Sequence, residues 1–508
     1  MSRQTRVGIV AGLAGVLSNK RRRMLAVVAI SLLGVMGFIL MRAGHTLADS
    51  SGFQFFRDPT GYVGTVSSTG SIDTTGPFFQ SLGTNGRACV TCHMPGDAWS
   101  VTPAHIRQRF EVSRGTDPLF RPVDGSNCSD SRGVNNSPPS PKAYSLLLNK
   151  GLIRVSLPIP SNAQFTVKVV SDPYGCAMTT DSTGLRYLSM YRRPPPATNL
   201  GYLSAVMFDG RETVTPLNNS STFQNNLNVD LTHQAVDATM GHAQGATTPT
   251  DEQLRGIVVF ELSTHTAQLV DDSAGLLTAH GAQGGPVYLA SAPYYPGIND
   301  VLGADPSGAA FNPNAFALFS SWQNQGGRGR YAAERESVAR GEVLFNTAPV
   351  TIQDVKGLND ALGLTTIMGT CTTCHDTPSV GDHSLPLPLD IGISDVTTSE
   401  SDPLDAALDE LNTPLMPVFV LSCSTSLGAP SNVTVRTSDP GRAMITGHCA
   451  DIGKFKGPIL RGLAARAPYF QNGSADSLAQ VVNFYNQRFQ MGLKANEMAD
   501  LVAFLNSL

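Results

Sequence analysis

The sequence predicts a mainly α chain: two helical domains with long loops and a small β-hairpin insertion. Three observations carry this. A pentapeptide C-x-x-C-H occurs twice, as Cys89-Val90-Thr91-Cys92-His93 and Cys371-Thr372-Thr373-Cys374-His375. Apolar residues recur at i, i+3, i+4 and i+7 in the segments that precede and follow the second copy, and again after the first. Glycine and proline number 49 and 33, enough to break the chain between those segments.

C-x-x-C-H is the attachment signature of c-type haem. The two thiols are spaced to form thioethers with the two vinyl groups of one porphyrin, and the histidine becomes the proximal iron ligand. Cys89, Cys92, Cys371 and Cys374 are therefore the expected attachment residues, with His93 and His375 as iron ligands. The competing reading is a redox C-x-x-C or half a zinc site, which lacks the further pairs that zinc needs. Helix, C-x-x-C-H, long loop and amphipathic terminal helix is the plan of a small helical cytochrome. Its loose repetition gives two cytochrome c-like haem domains.

A chain of 508 residues exceeds one ordinary core. Its net charge of -4 gives no basic footprint for nucleic acid. Residues 1–48 read as a signal peptide or membrane anchor. Arg3, Arg6 and the run Lys20 to Arg23 precede an uncharged stretch from Met24 to Met41, and Thr46-Leu47-Ala48 offers small residues for cleavage. The expected location is the periplasm, either soluble after cleavage or anchored to the inner membrane. In that oxidising compartment the remaining cysteines are expected to pair as Cys128–Cys176 and Cys423–Cys449; free buried thiols are the alternative.

The N-terminal domain is expected over 49–265, with an insertion at 126–181. Within the insertion, Leu152 to Ile159 and Phe165 to Val170 alternate and read as the β-hairpin. Thr250 and Gln253 form a capping box before Leu254, Ile257, Val258 and Glu261, which predicts a helix near 251–265. Residues 266–330 read as a connecting region, part of which packs across both halves. The C-terminal domain spans 331–508. It opens with a helix carrying Val338, Gly341 and Phe345. It closes with helices lined by Leu478, Val481, Val482 and Tyr485, and by Met498, Leu501, Val502 and Leu505.

The stretch Phe455-Lys456-Gly457-Pro458-Ile459-Leu460-Arg461, followed by Ala467-Pro468-Tyr469-Phe470-Gln471-Asn472-Gly473, resembles the di-haem cytochrome c peroxidase/MauG superfamily. Phe208-Asp209-Gly210-Arg211-Glu212 and Leu231-Thr232-His233-Gln234-Ala235 resemble that family's W-D-G-R-A and L-E-E-Q-A segments. Arg340 to Phe345 resembles the helix that opens its second domain. The resemblance implies an N-terminal peroxidatic haem and a C-terminal electron-entry haem. Electrons come from a cytochrome c or a cupredoxin, and hydrogen peroxide is reduced to water. It also allows a calcium ion at the domain interface and a homodimer. Two other functions share the plan: an electron-transfer cytochrome without peroxidase activity, and a MauG- or rubber-oxygenase-like oxidase of an organic substrate.

The departures define the open positions. Val206 and Met207 precede Phe208, Thr232-His233 stand where the family has glutamates, and extra residues run from Asn218 to Asn228. Either His233 takes the acid/base role or it is an exposed helix residue. Arg211 either pairs with a haem propionate or forms a turn salt bridge with Asp209. The resemblance places a methionine or tyrosine ligand on the distal side of the second haem, and Ile452-Gly453-Lys454 occupies the methionine's expected place. Met444 and His448 are the candidate distal ligands, with His383 further off. His105 and His242 are candidates at the first haem.

Overall fold

The computed structural model describes residues 52–130, 133–214, 223–324, 329–384, 388–396 and 403–508. The expected signal or anchor segment, and Asn218 to Ser221 with Thr222 of the extra stretch, lie outside the described residues. No described helix is long and apolar enough to cross a membrane.

The described residues are 33% helical and 17% strand, more sheet than the mainly α reading expected. The extra strands come from segments that read as loop or connection. Phe53–Arg57, Gly61–Ser67, Thr264–Asp271 and Gly275–Leu276 form one antiparallel sheet in that spatial order. Its pairing spans some two hundred residues of chain (Val66 faces His265), a partnership that local periodicity cannot reveal.

The insertion is not a hairpin. Ile153–Pro158 pairs with Arg186–Arg192, while Phe165–Ser171 pairs with Val418–Cys423 of the C-terminal half. The strands lie where the alternation put them, but each found a remote partner. The second pairing is completed by Val433–Thr437 and sealed by a Cys423–Cys449 disulfide. Its apolar side buries Phe165, Leu188, Phe419 and Leu421. Cys128 and Cys176 meet as buried free thiols, against the disulfide expected there.

The helices match expectation closely. Asp251–Ser263 starts at the Thr250 and Gln253 capping box, with both reciprocal bonds formed. Its Phe260 packs with Phe78 and Trp99. In the C-terminal half, Ala332–Thr347 crosses Ala495–Asn506. Gly341 makes the crossing possible, because a Cβ there would lie 2.0 Å from the Asp500 carbonyl oxygen. Arg340 and Ser337 then reach the Asp500 carboxylate at 2.7 and 2.6 Å. Described residues of the 266–330 region contact elements from both ends of the chain. They supply part of the first sheet and bury Phe316, Phe319 and Trp322 beside Phe504.

Two outcomes test this packing. Gly341→Ala is expected to cost roughly 1–3 kcal/mol by overpacking, read as a lower thermal midpoint; an unchanged midpoint would contradict the close crossing. In denatured, unreduced protein Cys128 and Cys176 are expected to react with a thiol reagent while Cys423 and Cys449 do not.

Candidate functional site

Both pentapeptides are built the same way. Cys89–Thr91 and Cys371–Thr373 each form one short 3₁₀ turn. The Thr91 and Thr373 hydroxyls accept the Ala88 and Thr370 backbone N–H groups, each at 3.0 Å. The His93 and His375 backbone N–H groups donate to the Cys89 and Cys371 carbonyls, again at 3.0 Å. The two imidazoles are oriented alike too. His93 Nδ1 lies 3.1 Å from the Trp99 carbonyl, and His375 Nδ1 lies 3.0 Å from the Gly381 carbonyl. In each case the carbonyl belongs to the sixth residue after the histidine. A carbonyl only accepts, so Nδ1 carries the proton and Nε2 is left as a ligand atom. Burial holds both histidines down to about 4, so the rings are neutral. Burial pushes the Cys89 thiol up to about 12 and that of Cys92 to about 11. Cys371 and Cys374 are likewise pushed up to about 12. Neutral, buried thiols are poorly suited to thiolate redox exchange.

The two motifs open on one continuous cavity. Phe78, Ile257, Ala235 and Pro194 line it near the first motif, and Phe345, Leu501, Val482 and Phe489 near the second. Four cations stand on this apolar wall: Arg87, which is paired with Asp124, and Arg193, Arg466 and Lys456. Burial lowers Arg193 to about 10, and the Arg466 charge lowers it further. Arg466 is also lowered to about 10 by burial. Burial lowers Lys456 against the pull of Asp382. The buried Arg466 Nε has no hydrogen-bond partner. Three like charges gathered in an apolar cavity are costly unless an anion meets them. A porphyrin that is apolar over its faces and carries two carboxylates fits this lining.

Arg193 is one of the buried cations between the two halves. Its guanidinium donates to the Lys150, Val101 and Arg466 carbonyls at 2.9, 2.8 and 3.0 Å. Among the described residues one set of three groups is close enough to hold a metal ion: Glu212, His233 and Asp237. That set belongs to the first half and does not span the interface.

The remaining candidates separate cleanly. Arg211 bonds Asp209 at 3.2 Å and approaches Glu212 at 3.5 Å. It takes the turn role, and it is absent from the cavity wall. His233 Nδ1 lies 2.8 Å from Glu212 Oε2 with its ring half exposed; its neighbour Gln234 lines the cavity instead. Met444 is buried among Phe165, Leu188 and Phe419, and the exposed His448 faces Asp451. Neither lines the cavity: the strand pairing of 165–171 with 418–423 builds a separate core that takes Met444, and His448 stays on the surface beside it. His105 is turned to Asp97 at 2.6 Å. His242 lines the cavity but is bonded to Asp124, which also holds Arg87. His383 lines the cavity near His375, 3.3 Å from Asp376.

Two cavity residues were read from sequence only as parts of helix faces. Tyr485 lies beside Cys371 and Cys374, and burial together with the Cys374 and Cys371 thiols raises its phenol above the ordinary value. Glu261 lies in the first half near Cys89. The helical spacing that placed both on a buried face was the available signal; it could not show that the face meets a cavity.

No protein-family model matches the chain. Sequence comparison finds curated relatives over less than a third of the chain. The relatives are cytochrome-c peroxidases. IdrP2 of Denitromonas iodatirespirans is 33% identical over 156 residues, covering 29% of this chain and 38% of its own. IdrP2 of Pseudomonas sp. (strain SCT) is 34% identical over 145 residues, covering 27% and 35%. The chain thus spans little more than a third of the curated relatives it matches. A solved MauG-like protein associated with microbial copper homeostasis aligns over 66% of this chain and 77% of its own, at 16% identity and a TM-score of 0.31.

Asp209 anchors the turn that carries Arg211. Burial opposes its charge, but Arg192 and Arg211 outweigh burial and hold the carboxyl at about 2. A depressed carboxylate contributes stability above its unfolded value of about 3.9 and loses it as pH falls toward the folded one. Asp209→Asn, which leaves the buried Arg192 with Asp439 as its remaining carboxylate partner, is expected to cost ~1–3 kcal/mol. Arg211→Ala is expected to cost under ~1 kcal/mol. Denaturant titration of both variants checks the difference, and equal losses would contradict it.

Proposed function

We propose that the chain is a periplasmic di-haem c-type cytochrome that reduces hydrogen peroxide to water with electrons from a small redox protein. The observation that carries this reading is the duplicate construction of the two pentapeptides on one shared cavity. The kinship with cytochrome-c peroxidases supports it. Cys89 and Cys92 hold one haem, and Cys371 and Cys374 hold the other. His93 and His375 present neutral Nε2 atoms to the irons. Arg193, Arg466 and Lys456 meet the propionates. When bound, haem supplies the one-electron and peroxide chemistry. The protein's share is to fix two ring orientations, exclude water with an apolar wall and place cations against the carboxylates. One shared cavity would hold both groups. The basic and uncharged N-terminal segment supports export.

A second reading has its own observation. Tyr485 lies in the cavity beside Cys371 and Cys374, and a redox-capable phenol at the second site suits a MauG-like oxidase of an organic substrate. The choice between the readings turns on the state of each iron. In the diferric protein a high-spin EPR signal, with rapid peroxide loss in the presence of reduced cytochrome c, is expected. Two low-spin sites inert to peroxide would contradict the peroxidase reading. Tyr485→Phe is expected to change the spectrum of the second site only.

A further inference from the structure

The two halves line their parts of the cavity with matching helices. Asp251–Ser263 contributes Ile257 and Glu261, and Ala495–Asn506 contributes Leu501 and Leu505. Each pair is four residues apart, one turn along the same face. Where the second half has the methyl groups of Leu505, the first half has a carboxyl.

Glu261 is buried, at 5% exposure, and its Oε2 has no hydrogen-bond partner. The helix does not use it for packing in the way it uses Leu254, Ile257 and Phe260, which join the Phe78 and Trp99 core. Burial alone pushes the Glu261 carboxyl up to about 8. Its charge is felt at Cys89, whose thiol it raises. The other titratable groups on this side of the cavity are His93, Cys89, Cys92, Arg87, Asp124 and His242, with the cations Arg193, Arg466 and Lys456 further along the wall. Asp124 is committed to Arg87 and His242, and His93 to the Trp99 carbonyl. Glu261 is thus a buried acid with a proton not tied to a neighbour, in the cavity where an electron is to arrive. In a low-dielectric cavity a change of one charge nearby moves the proton affinity of such a group strongly.

We propose that Glu261 is the proton-exchanging group of the first pentapeptide's site. At a pH high enough for Glu261 to be ionised in the oxidised site, an electron arriving there from the donor protein is matched by one proton taken from water onto the Glu261 carboxylate. When the electron leaves, the proton returns to water. One electron and one proton move together, so the charge of the buried site is unchanged. This rests on the function proposed above, since it requires a redox group at Cys89 and Cys92.

The experiment uses the full haem-loaded protein. Mass spectrometry of the Cys89–His93 peptide first establishes haem attachment. Midpoint potentials of both sites are then followed spectroelectrochemically over roughly pH 6 to 10, the range around a carboxyl so raised. The first site is expected to fall with pH, approaching a tenfold change per unit, or ~59 mV for one electron. In Glu261→Gln that slope is expected to vanish, while the slope of the second site stays as it was. Glu261→Leu, which copies Leu505, repeats the test if the first variant does not fold. A first-site slope that survives both substitutions would overturn the assignment, as would a haem-loaded first site with no slope in the natural protein. A Cys89–His93 peptide without haem would overturn the functional reading as well, and it is seen before any potential is measured.

Discussion

The structure depends on holding two imidazoles neutral and in one orientation inside an apolar cavity. The Trp99 and Gly381 carbonyls do this by taking the Nδ1 protons of His93 and His375. Turning the backbone back over the ring within six residues requires the tight loops that follow each pentapeptide. In the first loop Ala98 and Trp99 both take left-handed φ angles, 49° and 59°, a costly geometry for residues with side chains. The Trp99 indole and its neighbours Phe78 and Phe260 hold that loop in place. The first core, the Asp251–Ser263 helix and the sheet beneath it therefore all serve the position of one carbonyl.

Several links join the N-terminal part of the chain to the C-terminal part. The strand pairing of 165–171 with 418–423 crosses between them, as does the buried Arg192 between Asp209 and Asp439. The Arg193 guanidinium joins carbonyls from both halves. Backbone bonds from Lys456 to Phe208, from Arg193 to Gln471 and from Gln268 to Leu508 continue the seam. A shared cavity for two redox groups needs such a seam, because electron exchange depends on a fixed separation.

Much of this was legible in the sequence, and the unread part has a common cause. The pentapeptides, the capping box at Thr250, the glycine at the Gly341 crossing and the terminal helices are local signals, and the structure has them. The hairpin failed because Phe165–Ser171 found its partner more than two hundred residues away. Met444 and His448 failed for the same reason: the sheet that pairing builds carries their segment away from the cavity. Arg211 and His233 sit in recognisable segments, yet Asp209 and Glu212 claim them. Tyr485 and Glu261 were visible as members of a buried helix face. Whether such a face meets core or cavity is decided by the other half of the molecule.

Intact-mass and peptide mass spectrometry of the exported protein tests the central claim most directly, namely that both pentapeptides are haem sites built alike. The account predicts one covalently attached haem on the Cys89–His93 peptide and one on the Cys371–His375 peptide. Free thiols, a disulfide or a bound zinc ion at either motif would contradict it.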